Sequence, residues 1–190
     1  MADVLLFHHI QGLTPGVVAF ADRLRARGHT VHTPDLLEGR NFPTIEQGEA
    51  HVRALGFDTV FARGVEAAEA LPAEAVYAGI SLGVGPAQQL AQNRPGAAGA
   101  LILCAFMDPA EFGGWPEGLP AQIHGMDNDP YFAGEGDLDA ASGFAEQTKD
   151  AELFVYPGDG HLFMDSSVDG YDEKAAALLT ERVLAFLDRV

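Results

Sequence analysis

The chain has 190 residues, with 28 Asp and Glu against 11 Lys and Arg and a formal charge of -17. That length suits one domain, residues 1–190, around a single core, and the charge opposes phosphate backbones and anionic surfaces, which argues against nucleic acid and acidic membranes as partners. A single cysteine rules out a disulfide framework, and neither the start, MADVLLFHHI, nor any later stretch has the pattern of a signal peptide or a membrane span, so a soluble cytoplasmic protein is expected.

Residues 4–9 (VLLFHH) read as the first strand, with His8 and His9 on opposite faces and so unable to chelate one metal together. Thr14 and Pro15 make an N-cap and first-turn proline, Val17, Phe20, Ala21 and Leu24 share one helical face, and Gly28 suits the C-terminal cap. A short strand over residues 29–33 completes a strand, helix, strand unit. Further strands are expected over 75–80 (AVYAGI), 100–106 (ALILCAF), 121–126 (AQIHGM) and 152–156 (ELFVY), with helical patterns between most of them. Cys104 lies inside the fourth of these runs and reads as a small buried hydrophobe. The last segment places Ala176, Leu179, Val183, Phe186, Leu187 and Val190 on one stripe, with Asp172 and Glu173 at its start. Near-continuous apolar strands alternating with helices indicate an α/β fold, a mostly parallel sheet of about six strands covered on both faces. The Gly-, Pro- and acid-rich stretches 108–120 and 127–140 are expected to be loops lining a ligand crevice at the carboxyl ends of the strands.

One stretch carries chemistry. Gly79, Ser81 and Gly83 form GxSxG between an apolar strand and a helix expected to start near Leu82. A serine on a sharp strand-to-helix turn exposes its hydroxyl above the sheet, and glycines on either side leave room for adjoining backbone. The free N–H groups of the helix start can hold an oxyanion. A serine hydroxyl needs a base to take its proton. His161, in YPGDGHLF between the last strand and the terminal helix, is the histidine best placed for it; His29, His32, His51 and His124 read as structural, and no zinc spacing is present. The acid that orients the imidazole is expected after the strand 121–126, where Asp127 and Asp129 both qualify. Asp129 is preferred because it leads through Pro130 into Tyr131 and Phe132, which are able to close over the site, whereas Asp127 sits at the strand end and suits a turn cap. Asp159 is too near His161 in sequence and suits the turn.

With these stretches in place, HHIQG (8–12), TPDLLEG (33–39), GISLG (79–83), HGMDNDPYF (124–132) and the segment from Gly158 onward, the chain resembles the dienelactone hydrolase family of the α/β-hydrolase fold along almost its whole length. The resemblance implies a triad of Ser81, Asp129 and His161, and an oxyanion hole built from the backbone N–H groups of Leu82 and Ile10. It also implies that the chain begins at the third strand of the complete fold, so the first antiparallel strands are expected to be absent. Three departures matter. The dienelactone-cleaving members use a cysteine nucleophile where this chain has Ser81. They carry an acid where this chain has His9. They hold the substrate carboxylate with arginines, and one of those positions is Asp165 here, while Arg40 is the only residue near the other. The expected activity is therefore hydrolysis of a small uncharged carboxylic ester or lactone through an acyl-enzyme, with no cofactor and no metal. Pocket walls are expected from His9, Phe112, Trp115, Tyr131, Phe132 and Met164. The alternative is a non-catalytic small-molecule-binding module on the same fold.

Overall fold

Strands that are apolar at every position need cover on both faces, and the chain supplies it. The computed structural model describes residues 1–190. Six strands, β1 (Asp3–Phe7), β2 (Thr30–His32), β3 (Val76–Ile80), β4 (Gly99–Leu103), β5 (Ala121–Met126) and β6 (Ala151–Tyr156), form one sheet in the order β2-β1-β3-β4-β5-β6, every neighbouring pair parallel. The helices are α1 (Pro15–Arg25), α2 (Ile45–Leu55), α3 (Phe57–Ala67), α4 (Val84–Asn93), α5 (Asp137–Gln147) and α6 (Glu173–Leu187).

The two-residue period of the strands divides the core. Val4 and Leu6 of β1 and Val76, Ala78 and Ile80 of β3 face α1 and α6, where Val17, Phe20, Leu24, Leu179, Val183 and Phe186 meet them. Leu5, Phe7, Tyr77, Ile102 and Ile123 face the other way, onto Val52, Val60 and Leu90 of α2, α3 and α4. Burying a side chain of this size stabilises the fold by about 1.5–3 kcal/mol, so the sheet is held from both sides. The cap expected from the sequence is present at α1, where the Thr14 side chain accepts from the Val17 amide, and at α6 the acid expected to match the helix dipole also caps it, Asp172 accepting from the Lys174 and Ala175 amides. Gly28 does not cap α1: the helix stops at Arg25 with Ala26 as its cap, and Gly28, at φ 93°, serves the turn into β2.

Several strand ends shift by a residue, and the stretch 127–140 expected to be a loop gives way to α5 at Asp137; three further differences from the sequence reading shape the site. β1 ends at Phe7, its last pairing partner being Gly79, so His8 and His9 lie in the following turn and not on the strand. The helix after β3 opens with a 3-10 turn over Ser81–Gly83 and becomes α-helical only at Val84. β4 ends at Leu103, and Cys104 takes a left-handed φ of 65° while its amide bonds the His124 carbonyl at 2.8 Å.

β1 has β2 on one side and β3 on the other, so the strand order reverses at β1 and the connections leaving β1 and β3 separate to opposite faces. In open parallel sheets that reversal opens a crevice at the carboxyl ends. No helix is long and apolar enough to cross a membrane.

Candidate active site

The crevice between the ends of β1 and β3 holds Ser81. Its φ is 49°, the left-handed region that side chains other than glycine seldom adopt. The neighbours that permit this turn are fixed by space: a Cβ on Gly79 would lie 2.2 Å from the Gly83 carbonyl oxygen, and a Cβ on Gly83 would lie 2.4 Å from the Phe7 carbonyl oxygen. Both glycines are therefore required by backbone approach, the second by the parallel pairing of β1 with β3.

Ser81 Oγ lies 2.8 Å from Nε2 of His161, which the loop between β6 and α6 brings to it. His161 Nδ1 lies 2.7 Å from Oδ2 of Asp129, in the loop after β5. Asp129 is buried, and its other oxygen accepts the Tyr131 amide at 2.9 Å. A buried carboxylate with these partners holds the proton on Nδ1 and leaves Nε2 free to accept from the serine. The Tyr131 ring packs over the imidazole with centroids 4.5 Å apart. Asp127 faces solvent instead, and its Oδ1 accepts from the Gly158 amide at 3.0 Å and the Asn128 side chain at 2.7 Å, closing the turn between β5 and the end of β6.

On the other side of Ser81 stands the turn after β1. The amide of Ile10 donates to no group of the protein, and Ile10 and Leu82 line one cavity with Ser81 and His161. That cavity has a volume of about 310 Å³. Its wall is largely apolar, from Phe57 and Phe61 of α3, Val84 of α4, and Met107 in the loop after β4. Glu135 and Asp137 are its only carboxylates, and no Lys or Arg lines it. Burial raises the Asp137 carboxyl above its usual range against the opposing hydrogen bond from the Phe106 amide. Burial also raises the Tyr131 phenol, assisted by the charges of Glu46, Glu49, Glu135 and Asp129.

Of the expected wall residues, only Tyr131 lines this cavity. Phe112 lines a neighbouring groove, and the Trp115 ring stacks edge-on against Phe144 with its N–H donated to the Leu119 carbonyl. Phe132 turns inward to fill the space beside Gly125, and Met164 is buried in the core under α1 and α6. His9 is fully buried, with Nε2 2.7 Å from Oδ2 of Asp165, and does not reach the cavity. Asp165, in turn, faces His9 and does not line the cavity, and neither does Arg40, which is exposed. The charge argument thus moves from Asp165 to Glu135 and Asp137. Glu135 and Asp137 come from the acid-rich stretch 127–140 that was expected to line the crevice, whereas the other expected stretch, 108–120, contributes nothing to this cavity, and Phe57, Phe61 and Met107 were not singled out in the sequence. For the two rings the visible signal was the aromatic pair four residues apart at the start of α3, since that spacing puts two rings on one helical face.

No group of three or more His, Cys, Asp or Glu side chains is arranged to hold a metal ion. The arrangement suits acyl transfer: a hydroxyl bonded to an imidazole that a buried carboxylate orients, beside a free amide and the start of a helix.

The dienelactone hydrolase family model matches residues 2–190. A dienelactone hydrolase-like promiscuous phosphotriesterase from metagenomic libraries is 17% identical, with a TM-score of 0.72 over 100% of this chain and 86% of its own. Esterase PE8 is 17% identical, with a TM-score of 0.69 over 100% of this chain and 92% of its own. A cold-adapted esterase from an Arctic intertidal metagenomic library is 16% identical, with a TM-score of 0.62 over 97% and 82% of the two chains. At such identities these likenesses concern the fold. Among curated proteins no match was found.

Proposed function

The chain belongs to the dienelactone hydrolase family, and on that premise we propose that it is a serine hydrolase of small, uncharged carboxylic esters or lactones. The observation that carries this reading is the unbroken hydrogen-bond series from Ser81 Oγ through His161 to Asp129. Ser81 Oγ attacks the carbonyl carbon while Nε2 of His161 takes its proton. Asp129 stabilises the imidazolium so formed and keeps the ring in place. Negative charge moves to the carbonyl oxygen, where the amides of Ile10 and Leu82 receive it; one donor of this kind is typically worth about 10²–10³ in rate. The tetrahedral intermediate collapses, the C–O bond to the alcohol breaks, and His161 returns the proton to the leaving oxygen. Water then attacks the acyl-serine with His161 again as base, which releases the acid and restores Ser81.

Specificity for an uncharged acyl group follows from Glu135 and Asp137 and from the lack of any cation in the cavity lining. A carboxylate entering there would lose hydration and gain no partner.

The test is reaction with a fluorophosphonate followed by intact and peptide mass spectrometry, on the parent protein and on Ser81→Ala and His161→Ala. Labelling at Ser81 that His161→Ala suppresses is the expected result. A folded parent protein that takes no label would refute the activated serine and favour a binding module on the same fold.

A further inference from the structure

The structure contains a second buried His–Asp pair that the reaction above does not use. Asp165 is fully enclosed and every lone-pair direction is engaged: His9 Nε2 at 2.7 Å and the Thr14 hydroxyl donate to Oδ2, while the Ser167 amide at 2.8 Å and hydroxyl at 2.7 Å donate to Oδ1. Burial opposes ionisation of Asp165, but those hydrogen bonds outweigh it and bring the carboxyl down to about 2. The site is built around the carboxylate, since a Cβ on Gly16 would lie 1.6 Å from Oδ1.

What the pair holds is the turn that carries Ile10. The Gln11 amide donates to Nδ1 of His9 at 3.2 Å, so that nitrogen carries no proton and the ring presents its N–H at Nε2, toward Asp165. The peptide plane between Ile10 and Gln11 is therefore oriented through the His9 ring. The preceding plane, between His9 and Ile10, is oriented from its carbonyl, which accepts from His8 Nδ1 at 2.7 Å and from the Gly12 amide at 3.0 Å. Because a trans peptide points its N–H opposite to its C=O, the carbonyl anchor sets the direction of the free Ile10 N–H, while the His9 ring fixes the plane that follows; between them the two anchors hold Ile10 from both sides at the cavity it lines. Asp165 also lies four residues beyond His161, and its own amide bonds the Leu162 carbonyl at 2.9 Å. One buried carboxylate thus joins the loop of the general base to the loop of the oxyanion donor.

We propose that His9 and Asp165 are positioning residues that aim the Ile10 amide at the developing oxyanion, an inference that rests on the hydrolase reading above. They touch no reacting atom. Their contribution is transition-state geometry, so their loss lowers kcat and spares KM.

Two substitutions of His9 separate this role from a merely structural one. In His9→Gln the side-chain amide nitrogen stands near the place of Nε2, which keeps a donor for Asp165 and removes the acceptor for the Gln11 amide. In His9→Asn the side-chain oxygen stands near the place of Nδ1, which keeps that acceptor and leaves Asp165 short of a donor. Stability by urea titration is expected to be higher for His9→Gln, because the buried carboxylate keeps its partner. Activity is expected to run the other way. With p-nitrophenyl acetate, His9→Gln loses about 10–100-fold in kcat at unchanged KM, and inhibition by an alkyl trifluoromethyl ketone, whose adduct with Ser81 places an oxyanion between the same donors, weakens by a similar factor. His9→Asn stays within about fivefold of the parent on both measures. Asp165→Asn gives a third variant should either histidine variant fail to fold: its amide N–H₂ drives His9 to the other tautomer, Nδ1–H then opposes the Gln11 N–H, and kcat and ketone affinity fall together. Activities that follow the order of stability, or a folded Asp165→Asn with full kcat and ketone affinity, overturn the inference. A parent protein that neither turns over the ester nor labels at Ser81 overturns the hydrolase reading itself, and this inference with it. A parent that does both, beside a His9→Gln variant of full kcat, overturns this inference alone.

Discussion

Acidification from pH 7 to pH 5 is expected to remove about 4 kcal/mol of stability through two buried neutral histidines. His8 is fully buried, with Nδ1 donating to the His9 carbonyl and Nε2 accepting from the Leu36 amide at 2.9 Å, so a second ring proton would face an N–H. Burial lowers it from 6.5 to about 4. His124, on β5, is bonded to the Tyr156 hydroxyl at 2.8 Å and to Gln122 Oε1 at 2.9 Å, and burial followed by the charge of Arg182 lowers it from 6.5 to about 3. In the unfolded chain both titrate near 6.5, so between that pH and the folded values the unfolded state binds more protons, and stability present above pH 6.5 is lost as the pH falls. Each such site costs about 1.4 kcal/mol for every pH unit below its unfolded value, a loss of about 2 kcal/mol per histidine at pH 5 relative to pH 7. His29, also lowered by burial, adds to the fall with the same sign. Asp165, at about 2, plays no part in this window, since its contribution is complete above the ordinary carboxylate range and lost only as the pH drops through its folded value.

Urea titrations at pH 7, 6 and 5 measure the effect; with a slope of about 2 kcal/mol/M the midpoint moves down by about 2 M. His124→Gln keeps hydrogen-bonding capacity without a titrating group, and is expected to show about half the parent's fall whatever its own stability at pH 7. A parent midpoint that is flat over this range, or a His124→Gln series as steep as the parent's, would refute the reasoning from burial.

Two substitutions test the site from other directions. Asp129→Asn is expected to lower kcat by about 10⁴, because an amide no longer holds the His161 tautomer, while Asp127→Asn, at a solvated turn, stays within about threefold; equal losses in p-nitrophenyl acetate hydrolysis would reject Asp129 as the orienting acid. Phe61 lines both the cavity at Ser81 and an adjoining groove of about 730 Å³, with Met107 common to the two. Phe61→Ala should join them and raise the ratio of octanoate to acetate ester kcat/KM by about tenfold; an unchanged chain-length profile would show that the two spaces act separately.

What the sequence determined by itself was the part set by local chemistry. Apolar runs of strand length, helical stripes and the GISLG turn lie close together in the chain, so the α/β class, the six strands and the candidate serine were legible from periodicity and glycine spacing alone. His161 and Asp129 were candidates for a related reason, since each follows a strand whose carboxyl end must open toward the crevice, but Asp127 met the same condition and it is the folded chain that brings Asp129 to 2.7 Å from His161. Tertiary structure decided the rest, because it turns on what the far parts of the chain leave unfilled. Phe132 was expected at the mouth and fills the core, since Gly125 leaves room for its ring. Phe57 and Phe61 line the cavity because α3 packs beside α4, a pairing that no local pattern specifies. His9 and Asp165 lie 156 residues apart. Read alone, His9 was a pocket wall and Asp165 an acid at a position where the family holds the substrate with arginine; a buried polar group requires a partner, and only the folded chain shows that these two are partners of each other.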